Sequence, residues 1–416
     1  MENDIINLQK TAPICTYNNW QKRTAWFLSG QAISLFGSAL TQFAIVWHIT
    51  LSTSSGVMLM ISTLCSFLPQ ILISLFAGVW ADRHNRKLLI IMADGMIAVA
   101  TLVSALVFMT GYKELWILFV ISAVRSVGSG VQSPAVNALI PQLVPKEKLM
   151  RINGINGTIQ SLTLLAAPAV SGGILSLFGL QAAFFIDVIT AVIGIGILLF
   201  IKVDKVKRNL NQEEKGVLAD LKEGVKYTWE HPFLRTFLFC YGIMMFLVTP
   251  ACILTPLMVA RSFGEEVWRL TANEMLWSVG TVIGGIIISV WGGCKNRLHT
   301  LILGTILYGL FTAALGISTN FTAYLIFLFI AGASMPLINS TGMVVLQETV
   351  ELNMQGRVFS LVQILASSAI PLGMTIFGPA SDLIKIEYML ILTGLLLMVL
   401  GVFMLFNRNI KSGNIN

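Results

Sequence analysis

Four charged residues stand inside long apolar runs of this sequence: the acids Asp94, Asp187 and Glu274, and one arginine, Arg125. A formal charge at membrane depth is costly unless it is paired, hydrogen-bonded or wetted, so each marks a structural tie or a place where a proton or cation is exchanged. Arg125 lies about ten residues from the nearer end of its run, ~15 Å deep at 1.5 Å per residue. It requires a partner. Asp94, seven residues in from one end of the preceding run, is the acid we expect Arg125 to reach, directly or through water, with Asp187 the second candidate. Such a pair either only holds two helices together or carries protons; the first candidates for proton coupling are therefore Asp94, Arg125 and Asp187.

Other chemistries find no support. The chain has no Gly-Lys dipeptide and hence no phosphate-cradling loop, and no H-E-x-x-H or G-x-S-x-G motif. Its four histidines are scattered, and its five cysteines show no C-x-x-C spacing. We expect no enzymatic activity, no cofactor and no metal.

Uncharged polar residues form two stripes. Gln31, Ser34, Ser38, Thr41 and Gln42 recur at helical spacing in the first run, and Ser122, Arg125, Ser126, Ser129, Gln132 and Ser133 do so in the fourth. Serines at this spacing suit either dry helix packing or a wet cavity, whereas Gln31, Gln42 and Arg125 favour a cavity.

The elements that must position these groups are membrane spans. Of 416 residues, 56% are hydrophobic and only 11% are Asp, Glu, Lys or Arg, where soluble domains carry about 25%. Twelve runs are long enough to cross ~30 Å of hydrocarbon as helices: residues 24–50, 56–80, 88–111, 115–137, 153–178, 182–201, 234–260, 270–292, 299–318, 321–346, 358–381 and 388–406. Open strand edges are excluded from lipid and the runs lack barrel-type alternation. The expectation is an all-α membrane protein of twelve transmembrane helices in two six-helix pseudo-symmetric halves. The first run follows a polar head and has no small-residue cleavage site behind it, so it is read as a span.

Of the 27 Lys and Arg residues, four (Lys113, Arg261, Arg269, Lys385) fall on loops of one side and Arg125 lies in a span; the rest fall on the other side. By the positive-inside rule that basic side is cytoplasmic, with both termini on it. The same asymmetry accounts for the net charge of +7 without nucleic acid. The expected organisation is a cytoplasmic segment 1–23, a first half 24–201, a cytoplasmic linker 202–232, a second half 233–407 and a tail 408–416. In the linker, Val217, Leu218, Leu221, Val225 and Trp229 share one helical face, as in a helix lying on the inner membrane surface or in a solvated linker helix. A weak repeat supports the halving: Pro134, Gln160 and Pro168 are spaced 26 and 8 apart, and Pro336, Gln363 and Pro371 are spaced 27 and 8 apart.

Between the second and third runs stands Gly78-Val-Trp-Ala-Asp-Arg-His-Asn-Arg-Lys87. It resembles the loop motif G-x-x-x-D-R-x-x-R-[RK] of major facilitator superfamily transporters, matching at Gly78, Asp82, Arg83, Arg86 and Lys87. More narrowly, Tyr17-Asn-Asn-Trp20, Gly30 to Leu35, Arg125 to Gly128, Pro134 to Ala138, Leu143 to Glu147 and Gly356-Arg-Val-Phe-Ser-Leu361 resemble the macrolide-efflux branch of drug:proton antiporters. The resemblance implies alternating access and drug export driven by proton entry, at the cell membrane. It also implies that Asp82 meets the start of the eleventh helix, near Gly356 and Arg357, when the cytoplasmic ends close. Spans one, four, seven and ten then line the cavity, which nominates Gln31, Ser38, Gln42, Ser129, Met245, Asn339 and Met343.

Two features depart from that pattern. The fifth-helix motif Gly-Pro-x-x-Gly-Gly reads Ala167-Pro168-Ala-Val-Ser-Gly172 here, leaving Pro168, Gly172 and Gly173 as candidate helix-packing positions, and the second-half copy of the loop motif, Gly292 to Arg297, has no acid. Partners implied are a small-molecule drug, protons and the lipid bilayer, with no nucleic acid and a monomeric state. Export of a tetracycline, a siderophore or a peptide antibiotic, import of a nutrient, and a non-transporting receptor are the alternatives.

Overall fold

Each long apolar run forms a helix, because in hydrocarbon the backbone must satisfy its hydrogen bonds within its own segment. The computed structural model describes residues 19–202, 217–352 and 354–411. Its first half contains α1 (Trp20–Thr53), α2 (Gly56–Arg83), α3 (Arg86–Met109), α4 (Leu115–Leu143), α5 (Leu149–Phe178) and α6 (Leu180–Phe200). A linker helix, α7 (Val217–Glu230), precedes the second half. There, α8 (Pro232–Thr249) and α9 (Thr255–Ser262) are joined by a π-helical turn, Pro250–Leu254. They are followed by α10 (Val267–Trp291), α11 (Arg297–Ile317), α12 (Phe321–Thr349), α13 (Gln355–Leu383), α14 (Ile386–Phe406) and the short α15 (Arg408–Lys411). Counting α8 to α9 as one, twelve helical segments are long and apolar enough to span a membrane. The largest departure from the expected bounds is α4, which runs on to Leu143 through Pro134 and Pro141.

Tight turns alternate the direction of the chain. Ser55, Asn85, Asn296 and Asn320 cap the helices that follow by accepting a backbone N–H with the side chain. Gly179, with φ of 78°, reverses the chain between α5 and α6 in a single residue. We call the end at which α1 begins and α14 finishes the terminal end, and the opposite end, with the turns at 54–55 and 384–385, the distal end.

Each half has its own core. The last six spans bury a continuous cluster that includes Phe237, Met258, Tyr308, Tyr324 and Leu390. The first six bury two clusters, one around Phe27, Leu139 and Leu198 and one around Ile45, Phe108 and Phe184. From the first half, Trp47 and Leu59 join the second half's cluster.

The linker helix docks on the second half. Gly224 approaches Arg357 so closely that an added Cβ would lie 3.1 Å from the arginine's own, and Glu223 pairs with the Arg357 guanidinium at 3.1 Å. Val225 and Trp229 remain exposed, and the Arg235 guanidinium lies 5.7 Å above the Trp229 ring. This outward pair belongs to the apolar face read from the sequence; the side chains of Val217, Leu218 and Leu221 lie outside those described.

Candidate functional site

Arg125 is buried in the first half, and its partner is Asp187 on α6, not Asp94. The Nη1 group of Arg125 donates both to Asp187 Oδ2 and, at 2.9 Å, to the hydroxyl of Thr101 on α3, which itself donates to the same carboxylate oxygen at 3.1 Å. From α1, the Ser38 hydroxyl donates to Asp187 Oδ1 at 3.0 Å, and the Ser38 carbonyl accepts from Arg125 Nη2 at 2.9 Å. One ion pair thus ties four helices, α1, α3, α4 and α6. Asp94 sits elsewhere because it precedes Thr101 by seven residues on α3, roughly 10 Å along the axis. There it accepts from the amide of Gln132 on α4 at 2.7 Å. The expectation that Arg125 neutralises Asp94 is therefore corrected: helix-to-helix depth, which sequence does not carry, decides the pairing.

The polar stripe of α1 is also redistributed. Ser38 takes part in the ion-pair network while staying partly accessible, as does Gln42. Gln42 donates to Ser66 Oγ on α2 at 3.2 Å, Thr41 to the Ala183 carbonyl at 3.0 Å, and Ser171 of α5 to the Leu40 carbonyl at 2.9 Å. These contacts are helix packing within the first half. Gln31, Ser129 and Met245 stay partly accessible, and Asn339 and Met343 are exposed.

The halves meet at the distal end. Asp382, at the end of α13, accepts from the backbone N–H groups of Gly56 at 2.7 Å and Val57 at 3.0 Å and from the Ser55 hydroxyl at 2.9 Å, so it caps the N-terminus of α2 in the opposite half. Arg261 of α9 pairs with the same carboxylate at 2.7 Å and donates to the Ser54 carbonyl at 3.2 Å through Nε. Close backbone approach accompanies this clamp. A Cβ on Gly56 would stand 2.3 Å from the Gly378 carbonyl oxygen, and one on Gly378 2.6 Å from the Cβ of Met60. In the sequence Arg261 falls on a loop and Asp382 just past the span 358–381; nothing in their spacing announces that they meet at the seam between the two halves.

The fifth helix meets α10 in the same layer. A Cβ added to Gly172 would lie 2.0 Å from Thr271 Oγ1 and 3.1 Å from Thr271 Cβ, whereas one added to Gly173 meets nothing within 4 Å. Of the three packing candidates, Pro168 is buried within α5 and Gly172 makes the contact between halves, while Gly173 does not. Gly172→Ala should therefore loosen distal closure and lower the melting temperature of the purified protein, and Gly173→Ala should leave it unchanged. Equal melting curves for the two variants would remove Gly172 from the seam.

At the terminal end the halves stand apart. Ser133 and Asn137 on α4, Gln160 and Ser161 on α5, Asn339 and Ser340 on α12, and Gln363 on α13 are all exposed. A Cβ on Gly154, Gly157 or Gly356 would meet nothing within 4 Å. Polar side chains exposed at this depth on four helices of both halves mark a water-filled gap and not a lipid face. The molecule is closed distally and open terminally.

The loop motif lies beside this opening. An added Cβ on Gly78 meets nothing, so in this conformation Gly78 makes no close helix contact. Arg86 donates to the carbonyls of Ala81 at 2.9 Å and Ala138 at 2.7 Å, and Lys87 to those of Leu199 at 2.9 Å and Ile201 at 2.8 Å. Arg86 and Lys87 thus serve carbonyls near the C-terminal ends of α2, α4 and α6, where positive charge is favoured. The side chains of Asp82 and Arg83 lie outside those described. Arg357, at the expected docking site of Asp82, is engaged by Glu223 of the linker helix.

The comparisons agree with this architecture. The family model of the Major Facilitator Superfamily matches residues 27–374. The chain is 29% identical to Macrolide efflux protein A of Streptococcus pyogenes over 93% of its own length and 96% of that protein's. It is 21% identical to the Staphyloferrin A transporter of Staphylococcus aureus, over 93% and 97% of the two lengths. Among solved structures, the nucleoside transporter NupG superposes with a TM-score of 0.70 at 13% identity, covering 95% of this chain and all of that one. A bacterial homologue of the iron transporter ferroportin in an inward-facing state superposes with a TM-score of 0.68 at 15% identity, covering 92% of this chain and 98% of that one. A family match over most of the length, on twelve spans divided six and six, establishes that the chain belongs to the major facilitator superfamily.

Proposed function

We propose that the chain exports amphipathic drugs, macrolide antibiotics first among them, by alternating access driven by the entry of protons. The observation that carries the reading is the polar gap between two halves that touch through a distal clamp, in a chain whose relatives of nearly equal length include macrolide efflux proteins. The excess of Lys and Arg at the terminal end makes that end cytoplasmic, so the conformation described faces inward. Gln31, Ser38, Gln42, Ser129, Met245, Asn339 and Met343 are the cavity positions, all of them at least partly accessible, with Ser38 and Gln42 also bonded within the first half. Gly78, Asp82, Arg83, Arg86 and Lys87 form the gating loop of the terminal end, with Asp82 the latch that engages the start of α13, near Gly356 and Arg357, once that end closes. The likeness to a staphyloferrin A transporter favours a second reading, export of a siderophore.

The test is a susceptibility panel in a host lacking its own pumps, with a reporter fused after Asn416 to fix the side of the C-terminus. We expect a macrolide to require at least about fourfold more drug to stop growth, and an uncoupler to restore its accumulation. Full accumulation of every macrolide tested, in cells that display the protein in the membrane, sinks the proposal.

A further inference from the structure

We propose that Glu274, on α10, is the group at which a lipophilic organic cation and a proton compete, and that this site belongs to the second half rather than to the Arg125 network. The inference deepens the export reading and rests on it for its role in transport, but the site itself can be tested apart from transport.

Three acids lie at membrane depth, and two of them accept short side-chain hydrogen bonds. Asp187 is bound by Arg125, Thr101 and Ser38, and Asp94 by Gln132. Among the described residues Glu274 receives only the long 3.4 Å contact from the amide of Asn273, whose own groups turn to the Tyr324 hydroxyl at 2.8 Å and to Thr255 at 3.5 Å. Among the described residues no cation pairs with it, and the basic groups of α11, Arg297 and His299, stand at the start of that helix, where Arg297 lies 3.9 Å from Glu348. Arg261 on α9 is held by Asp382; Arg269, on α10 itself, is paired with Glu266 and lies over the rings of Trp268 and Phe321; α12 carries no basic residue, and α5 carries only Arg151, near its opposite end. The remaining titratable neighbours are Tyr324, Cys252 and, beside Cys252, Tyr308.

The surroundings fit a cation. Glu274 follows by one turn Thr271, the residue that abuts Gly172 of the other half, so it stands at the seam, and its side chain stays partly accessible while Asn273 beside it is buried. Aromatic residues stand close in the fold: Tyr324, bonded to the neighbouring Asn273, is fully buried, and Trp277, one turn further along α10, meets Tyr308 edge-on at 6.1 Å. The hydroxyls of Tyr308 and Thr312 are buried and make no hydrogen bond of good geometry, which leaves polar capacity unspent. Cys252 comes from the π-helical turn of the seventh span, a distortion that tends to occur at functional sites. A carboxylate in such a place is neutral with a proton bound or paired with a cation, and it cannot hold both. Binding of the cation then expels the proton, and entry of a proton expels the cation.

The experiment measures equilibrium binding of tetraphenylphosphonium, a permanent cation, to the purified full-length protein in mildly acidic and mildly alkaline buffer. The wild type should bind more tightly in the alkaline buffer, since protons compete. Glu274→Gln should weaken binding about tenfold there and abolish the pH dependence, and Glu274→Asp should keep it. A measurement without substitution accompanies this: dicyclohexylcarbodiimide, which modifies protonated carboxyls in apolar surroundings, should label Glu274, and saturating tetraphenylphosphonium should protect it. The site is overturned if the wild type binds no cation, if Glu274→Gln binds with wild-type affinity and pH dependence, or if labelling is insensitive to the cation. A chain that passes these tests yet lowers the accumulation of no drug would overturn the export reading alone.

Discussion

Asp187→Asn should reduce the yield of folded protein more than any other single substitution of a polar residue, and Arg125→Met should do nearly the same. The side chains of Arg125 and Asp187 are 6% and 0% exposed, and between them they engage four helices. Removing one partner of a buried pair strands the other charge, at about 3–5 kcal/mol. That is a large part of the roughly 5–15 kcal/mol that separates folded from unfolded states of ordinary domains. Replacing both partners with apolar residues of similar volume removes both charges at once and is often neutral. The double variant Arg125→Met with Asp187→Leu should therefore recover the monodisperse peak and melting temperature that each single variant loses. Transport by the double variant then separates the two readings of the pair. Wild-type efflux would make it a structural tie, whereas a well-folded but inactive double variant would place the pair in the transport cycle. If the single variants melt as the wild type does, the network bears no weight in the fold.

The spans were legible because each is a long apolar run bounded by polar or turn-forming residues, and hydrocarbon permits a segment of that kind little besides a helix. The halving was legible in the long polar stretch before Pro232 and in the paired prolines Pro134 and Pro336, Pro168 and Pro371. What failed to read out was everything set by depth and rotation of one helix against another. Along the chain Asp94, in the span next to that of Arg125, reads as the nearer partner and Asp187 as the second, and only the stagger of α3 against α4 and α6 selects Asp187. Gly172 and Gly173 are adjacent and alike in sequence, yet only the first faces Thr271. Ser38 has the spacing of a polar stripe residue, and its bond to Asp187, which ties α1 to α6, could not be read from that spacing. The π-helical turn at Pro250–Leu254 inserts a rotation into the seventh span that periodicity cannot anticipate. Asp382 and Arg261 lie near span ends, where charges need no explanation, so their meeting across the seam is a tertiary fact.

That meeting carries the second large prediction. Asp382→Asn should shift the protein from the distally closed conformation toward one closed at the terminal end. The carboxylate receives two backbone N–H groups and a hydroxyl from the start of α2, together with the Arg261 guanidinium, and all three groups of α2 and its cap belong to the opposite half. Asparagine keeps the shape and one acceptor but loses the charge that favours the helix N-terminus and the arginine. Asp382 is 27% exposed and Arg261 29%, so solvent screens the pair. A differential loss of about 1–2 kcal/mol follows, which is a factor of roughly 5–30 in a two-state balance. The sign is fixed because the contact exists only when the distal ends are together. Two reporters read it, each a single cysteine in a chain whose native cysteines are replaced by serine. Met60→Cys, packed against Gly378 at the distal seam, should react faster with a thiol probe, and Gln363→Cys, exposed at the terminal gap, should react more slowly. Opposite changes at the two positions are the signature of a shifted equilibrium, because general loosening would accelerate both. Unchanged rates at both would mean that the clamp forms without biasing the balance, and that closure of the distal end rests on the glycine contacts at Gly56, Gly378 and Gly172 instead.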